Sequence, residues 1–322
     1  MDEEDIRGYV ASQERFLAMM CRDTFDPEAS EGNDNTLYVT MSSSIMGLSR
    51  RYAGTDMPIE CFEPELHNIW YLFIISAQNI DAHHLAQDRL LRILTEARHC
   101  GVLRKIANPM RTLIHAQLGT GGPNARQLRK VEGLEAAETS QGCIWADLPF
   151  LVQDVRDAWK KLIMDTSASH AHCCNLTSAI ARLAGSGVCG DAFSQCGLEI
   201  MKLAVETPLP PSSPDEGSST PRLALVQIWL SYAGDTLLRL CLTASTPLDP
   251  SWALDDQQPI GPLAQQAGIS LAAAYSRERF CFWKDRLEAM MVVANYAESL
   301  ESDCATAIQI SWNTHFGILT HG

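Results

Sequence analysis

Residues 66–75 read Leu66, His67, Asn68, Ile69, Trp70, Tyr71, Leu72, Phe73, Ile74, Ile75. At helical spacing Leu66, Ile69, Trp70, Leu72, Phe73, Ile74 and Ile75 leave almost no polar stripe, and a helix that is apolar nearly all round has to be buried among others. Its start is marked by Pro64 between Glu63 and Glu65. Proline suits a first helical turn, where its missing N–H is not needed, and carboxylates there complement the helix dipole. A central helix of this kind predicts a bundle.

Working outward, Asp81 is a cap for a second helix carrying Leu85, Leu90, Leu91, Ile93, Leu94, Leu103 and Ile106, and the short spacing predicts an antiparallel hairpin. Upstream, Ile6, Tyr9, Val10, Phe16, Leu17 and Met20 share one face, which places an amphipathic helix within residues 1–22. Residues 23–60 turn polar and glycine-bearing, so they are expected to form a loose connector with at most a brief helix over 40–51.

Downstream, Gly119, Gly121, Gly122 and Pro123 break the pattern, and the polar segment to Gly142 is expected to be a flexible excursion. Ile144, Trp145, Ala146, Asp147, Leu148, Pro149 and Phe150 then form a buried corner, because a helix cannot begin before that proline. Leu151, Val152, Val155, Trp159, Leu162 and Ile163 give the helix that follows. Asn175 is read as the N-cap of a helix with Leu176, Ala179, Ile180 and Leu183, closed by Gly185 and Gly187. Phe193, Cys196, Ile200, Met201, Ala204 and Val205 form another.

Residues 207–221 are a Pro/Ser-rich exposed loop, in which Ser213 and Thr220 each precede a proline. Leu223, Val226, Trp229, Leu230, Ala233, Leu237 and Leu240 then make a strongly apolar helix. The last helix is capped by Ser276 and carries Phe280, Trp283, Leu287, Met290 and Ala294, continuing through Ala297, Cys304 and Ile308. No segment alternates with a period of two and no fixed-period repeat is present. The expected fold is all-α, a single multi-helix array or bundle of antiparallel helices over residues 1–322.

With 46% hydrophobic residues the chain can bury a sizeable core, and its formal charge of -14 disfavours nucleic acid or an anionic membrane as partner. Charge is uneven along the chain. Ten acids face three arginines between Asp2 and Asp34, whereas nine Lys or Arg accompany two acids between Asp88 and Lys130. Of the latter, Arg89, Arg92, Arg104, Lys105, Arg111, Arg126, Arg129 and Lys130 either face the acidic region or solvent, or contact an acidic partner or phosphorylated ligand. The acidic start is unlike a signal or transit peptide, and no apolar run is long enough to span a membrane. Eleven cysteines, an odd number in a long chain, suit a reducing compartment. The expected location is therefore cytoplasm or nucleus.

No motif assigns a reaction. His170, His172, Cys173 and Cys174, with Cys189 and Cys196 following, lack the paired spacing of a zinc site, and adjacent cysteines on a helix point apart. His83 and His84 lack the further ligands a metal-dependent phosphohydrolase would need, and read as surface residues at the first turn of a helix. Asp255 and Asp256 sit before Pro259 in a loop, unlike the magnesium-binding acids of a helical terpene cyclase. Neither glycine cluster has the strand and lysine of a phosphate loop, and no Gly-x-Ser-x-Gly elbow occurs. No metal and no cofactor is expected.

Charges set among bulky apolar residues are the remaining candidates, since a charge is costly to bury unless paired. Asp147 lies between Trp145 and Pro149, Arg182 beside Leu183, and Arg279 and Lys284 beside Phe280 and Trp283. One reading is a structural ion pair of Asp147 with Arg182 or Arg279. The other is the polar floor of an aromatic-walled ligand pocket. The candidate residues are Trp145, Asp147, Asn175, Arg182, Arg279 and Trp283.

The same residues carry a resemblance. Ile69 and Trp70, then Trp145, Asp147, Leu148 and Pro149, then Asn175, Leu176, Ala181, Arg182 and Leu183, then Gly261 and Pro262, then Arg277, Arg279, Phe280, Trp283 and Lys284 follow one another in an order that resembles an ascomycete fungal family known only as a domain of unknown function, DUF3632. The resemblance covers about Pro64 to about Phe316. Two positions depart from it: Cys174 stands where an aromatic is expected and Phe280 where a Trp is expected. The resemblance implies an intracellular fungal helical protein with no assigned activity, so it transfers no catalytic residue. The favoured expectation is a non-enzymatic protein-interaction or scaffold domain. The alternative is a small-molecule-binding protein or enzyme of fungal specialised metabolism with an aromatic-lined helical pocket, its partner an apolar small molecule.

Overall fold

A computed structural model of the protein describes residues 33–55, 57–105, 135–165, 167–208, 220–243, 250–254, 260–269 and 274–294. Outside these lie the expected helix at Ile6–Met20, the Gly119–Pro123 cluster with Arg111, Arg126, Arg129 and Lys130, most of the Pro/Ser-rich loop, Asp255 and Asp256, and the last helix's continuation past Ala294. The fold is all-α. Among the described residues the α-helices are α1 (Asn33–Gly54), α2 (Glu63–Asn79), α3 (Ala86–His99), α4 (Leu151–Met164), α5 (His170–Ser186), α6 (Ser194–Met201), α7 (Thr220–Thr243), α8 (Pro262–Gln266) and α9 (Arg277–Ala294). The described strands are β1 (Glu138–Thr139) and β2 (Gly142–Cys143), an antiparallel pair too short to leave an alternating pattern in the sequence.

The chain divides into two compact units, one comprising Met1–Ser76 with Arg92–Asp154, the other Ala77–Leu91 with Val155–Gly322. In the first, the supposed loose connector of residues 23–60 contains the 22-residue helix α1. Met41, Ile45, Leu48 and Tyr52 are buried at steps of four, three and four. That narrow stripe is enough to hold a helix against a core even though the serines and glycine between contribute little intrinsic propensity. Tyr52 meets Phe62 edge to face, with centroids 5.4 Å apart. The expected excursion before the corner is ordered over 135–143, where β1 pairs with β2 and Ala136 bridges to Arg104.

The corner itself is buried at Ile144, Trp145, Leu148 and Phe150, and α4 starts directly after it at Leu151. Trp70 of α2 crosses Trp145 at 87° with centroids 6.3 Å apart, and its Nε1 donates to the Pro149 carbonyl at 2.7 Å. Trp145 Nε1 in turn donates to Ser49 Oγ of α1 at 2.9 Å. Each indole thus buries its ring and keeps its one donor paired.

In the second unit, α7 packs along α5 and α6 and also meets α9. The α5–α7 approach depends on Gly185, because a Cβ there would lie 2.1 Å from the Tyr232 carbonyl oxygen. One residue later, at Ala233, α7 leaves helical geometry (φ -134, ψ 18) and bends. α5 begins at His170 rather than at Asn175 and closes on Gly187, whose φ is 67. Trp159 of α4 donates to Thr177 Oγ1 of α5 at 3.0 Å, and its ring faces Trp252. After α6 the chain continues without a break into a π-helical turn, Lys202–Glu206. Such turns carry an extra residue per turn and re-aim the side chains that follow.

Candidate functional site

The six candidate residues fall in three places. Trp145 and Asp147 belong to the first unit, and Asp147 is exposed. Its backbone N–H donates to the Cys143 carbonyl at 3.0 Å, and its Oδ2 accepts the Cys143 N–H at 2.8 Å. The ion-pair reading joins Asp147 to Arg182 or Arg279; the acids found beside those arginines are Asp88 and Glu206. The Asp147 carboxylate closes a local turn, a common use of Asp.

Asn175 and Arg182 share one face of α5 with Ser178, at steps of three and four. The stripe faces the end of α2 and the turn after it. A helix leaves its last carbonyls without partners, and here side chains supply them. Asn175 Nδ2 donates to the Gln78 carbonyl at 2.8 Å, while Gln87 Nε2 lies within bonding distance of the carbonyls of Ala77, Ile80 and Asn175. Ser178 Oγ donates to the Ala82 carbonyl at 2.5 Å, and Arg182 Nη1 donates to the same oxygen at 3.0 Å and to Ser178 Oγ. Asn175 is thus not the N-cap of its own helix. It is a buried donor in the middle of α5 that serves the end of α2.

Arg182 is buried, yet its Nε donates to Asp88 Oδ1 at 2.8 Å and Asp88 remains 57% exposed. Its guanidinium lies 3.6 Å from the centre of the Tyr232 ring, a cation–π contact. Tyr232 Oη lies 3.2 Å from Nδ1 of the exposed His83. His83 and His84 precede α3 rather than forming its first turn. There His84 Nδ1 accepts the Ala86 N–H at 3.1 Å, and the His83 N–H donates to Asp81 at 2.9 Å.

Arg279 and Trp283, one turn apart on α9, converge on Glu206 at the end of the π-helical turn. Arg279 Nε donates to Glu206 Oε1 at 2.6 Å and Nη2 to Oε2 at 3.0 Å, with both side chains 0% exposed. Trp283 Nε1 donates to Oε1 at 2.6 Å, and the Gly261 N–H donates to Oε2 at 2.6 Å. Arg279 Nη1 donates to the Ala274 carbonyl at 2.7 Å. A buried carboxylate receiving four donors, two from a guanidinium fork, is the arrangement that offsets desolvation of both charges. Ser276 caps α9 as expected, its Oγ accepting the Arg279 N–H at 3.1 Å. A few residues earlier, Tyr275 donates to the Ser194 carbonyl, and burial keeps its phenol protonated far above the ordinary range.

Sequence reasoning missed Glu206, Asp88, Gln87 and Tyr232. Glu206 closes an apolar run and stands two residues before Pro208, so it reads as the edge of a loop. Its one clue is position, an acid directly after Leu203, Ala204 and Val205. A second buried pair adjoins it, Lys202 with Glu199 at 2.9 Å. Several residues of the basic stretch have acidic neighbours: Arg92 pairs with Glu96 and Lys105 with Glu135, while Arg51 of α1 pairs with Glu65. Cys174 Sγ lies 3.4 Å from His170 Nε2. Among the described residues no three His, Cys, Asp or Glu are grouped so as to hold a metal ion, and no helix is long and apolar enough to cross a membrane.

Fold and site together define a helical protein whose buried charges brace its own packing. The chain belongs to a family without an assigned activity: the model described as Protein of unknown function (DUF3632) matches residues 70–287. The chain is also similar to the Oxopyrrolidines biosynthesis cluster protein G of Penicillium oxalicum, with 25% identity over 283 residues that cover 83% of this chain and 71% of the relative. No solved structure matches it.

Proposed function

We propose that this chain is a non-enzymatic helical protein that works by binding another protein, in the cytoplasm or nucleus of a fungal cell. The observation that carries the reading is the saturation of Glu206. Both its oxygens are taken by Arg279, Trp283 and Gly261, so this buried carboxylate and its arginine hold elements together and present no acid, base or nucleophile to a substrate. Arg182 supports the same reading, with Asp88, Ala82, Ser178 and Tyr232 around its guanidinium. The test mixes the purified chain with the purified products of genes adjacent to its own and weighs the mixtures by native mass spectrometry. A stoichiometric complex is expected. Turnover of a small molecule by the chain alone overturns the reading.

A second reading, a small-molecule carrier or enzyme of specialised metabolism, draws on the name of the Penicillium relative, which assigns that protein to a biosynthesis cluster. It requires that the freshly purified chain release a small molecule on denaturation, and that Asp147→Asn reduce the bound amount without unfolding the chain. A ligand-free protein removes it.

A further inference from the structure

The corner at 144–150 is held in a conformation its residues do not adopt by themselves. Trp145, Leu148 and Phe150 have φ of 67, 51 and 67. Bulky L-residues take left-handed values only where surrounding contacts over-determine them, and such positions gather at clamps and switches. Two contacts come from α2, one turn apart. Trp70 donates to the Pro149 carbonyl at 2.7 Å, and His67 places Nδ1 2.7 Å from Asp154 Oδ2 with its ring 4.6 Å from that of Phe150. The Gln141 side chain adds a third by accepting the Phe150 N–H at 3.1 Å.

Of these contacts, the one made by His67 carries an imidazole, the side chain type whose charge changes closest to neutral pH. His67 is 45% exposed and Asp154 20%, so protons reach the pair from solvent. We propose that His67 and Asp154 form a proton-operated clasp, which seats the 144–150 corner on α2 while the imidazole is charged and loosens it when the imidazole is neutral.

The groups acting on the imidazole are both acidic: Asp154 from α4, and Glu63 one turn earlier on α2. Glu60, in the 3-10 turn before α2, acts on Glu63 in turn. The hydrogen bond to Asp154 raises the His67 pKa above the ordinary histidine value, and partial burial opposes this less strongly. A folded-state pKa above the unfolded one means the stabilisation is complete below the unfolded value and is lost as pH rises through the folded one. Neutral imidazole still donates through Nδ1–H, so what disappears is the charge-assisted part of the bond. Release gives mobility to Phe150, Leu148 and the exposed Asp147 between them and the hairpin.

Amide exchange of the 144–151 segment in the whole chain, corrected for the intrinsic pH dependence of exchange, tests the clasp between about pH 5.5 and about pH 8.5. Protection is expected to fall with rising pH, by about tenfold for each unit separating the clasped and released pKa values. Asp154→Asn should flatten the profile, and so should His67→Phe, which keeps the ring stack. Trp70→Phe should lower protection at every pH and leave the profile's shape intact. Protection that is flat in the unaltered chain, or a profile that survives His67→Phe, overturns the proposal. A direct NMR titration of His67 in the unaltered chain needs no variant: a midpoint above the ordinary histidine value is expected, and one at or below it overturns the clasp.

Discussion

Arg279 and Glu206 form a two-pronged ion pair with neither side chain exposed, Nε to Oε1 at 2.6 Å and Nη2 to Oε2 at 3.0 Å. They are 73 residues apart in sequence, and the pair links the π-helical turn after α6 to the first turn of α9. Trp283 and the Gly261 N–H complete the carboxylate's shell. Charge, ring and backbone therefore meet on one group.

Removing one partner strands the other charge in the core. Arg279→Ala is expected to destabilise the protein by about 3–5 kcal/mol, and Glu206→Gln by a similar amount, because the guanidinium then loses its counter-charge. The double variant Glu206→Gln/Arg279→Ala should lose less than the sum of the two single variants, since no unpaired charge remains. Urea unfolding of the four proteins gives the coupling, and additive losses would contradict the burial of the pair.

Gly261 lies against the same carboxylate. A Cβ there would come within 2.5 Å of Glu206 Cβ and 2.7 Å of its carbonyl oxygen, and backbone cannot yield as a flexible side chain does. Gly261→Ala is expected to destabilise by about 1–3 kcal/mol. It should also reduce the loss caused by Glu206→Gln when the two are combined, because the Gly261 N–H bond is already displaced. A thermal-melt series on the single and double variants reads this.

The sequence revealed elements whose cause is local. Pro149 set the start of α4, Ser276 the start of α9, and the apolar run of Leu66–Ile75 the buried face of α2. What it concealed depends on partners distant in the chain. Asn175 looked like a cap because Asn before an apolar run commonly is one, yet His170 to Cys174 already form helix and its amide serves Gln78. α1 was hidden because four buried residues spread among serines and threonines leave a thin stripe. Asp147, Arg182 and Arg279 were singled out as charges set among bulky apolar residues; Arg182 and Arg279 are buried, whereas Asp147 is exposed. Which partner each would take could not be read, since Glu206 and Asp88 look like ordinary surface acids.

Arg182 gives a prediction of opposite character to Arg279, because its acidic partner is in solvent. Asp88 is 57% exposed, so Asp88→Asn is expected to lose only about 0–1 kcal/mol. Arg182→Lys should lose more, since an ammonium has no planar fork to stack on Tyr232 while bonding to Ala82 and Ser178. If denaturant unfolding showed Asp88→Asn to be the worse of the two, the aromatic stack and carbonyl bonds would not be what holds this arginine.

The buried thiols offer a chemical readout of the Glu206 brace. Burial pushes the Cys173 thiol up to about 11 and the Cys241 thiol up to about 12, and holds Cys196 well above the ordinary range. Alkylation proceeds through the thiolate, which at a pKa of 11 is about one part in ten thousand near neutral pH. In the native protein iodoacetamide is therefore expected to label the exposed Cys100 and Cys281 first, and these three only after unfolding. Cys241 sits on α7 within electrostatic reach of Arg279, whose charge lowers its pKa while burial raises it more. Arg279→Ala removes that positive charge, so with the fold intact Cys241 should become less reactive; opened packing should instead make it react early. Peptide mapping of Cys241 labelling, with Cys173 as the internal control, separates the two outcomes. The expected result is early labelling of Cys241 but not of Cys173, because the lost brace loosens the α7–α9 contact while Cys173, on α5, stays packed.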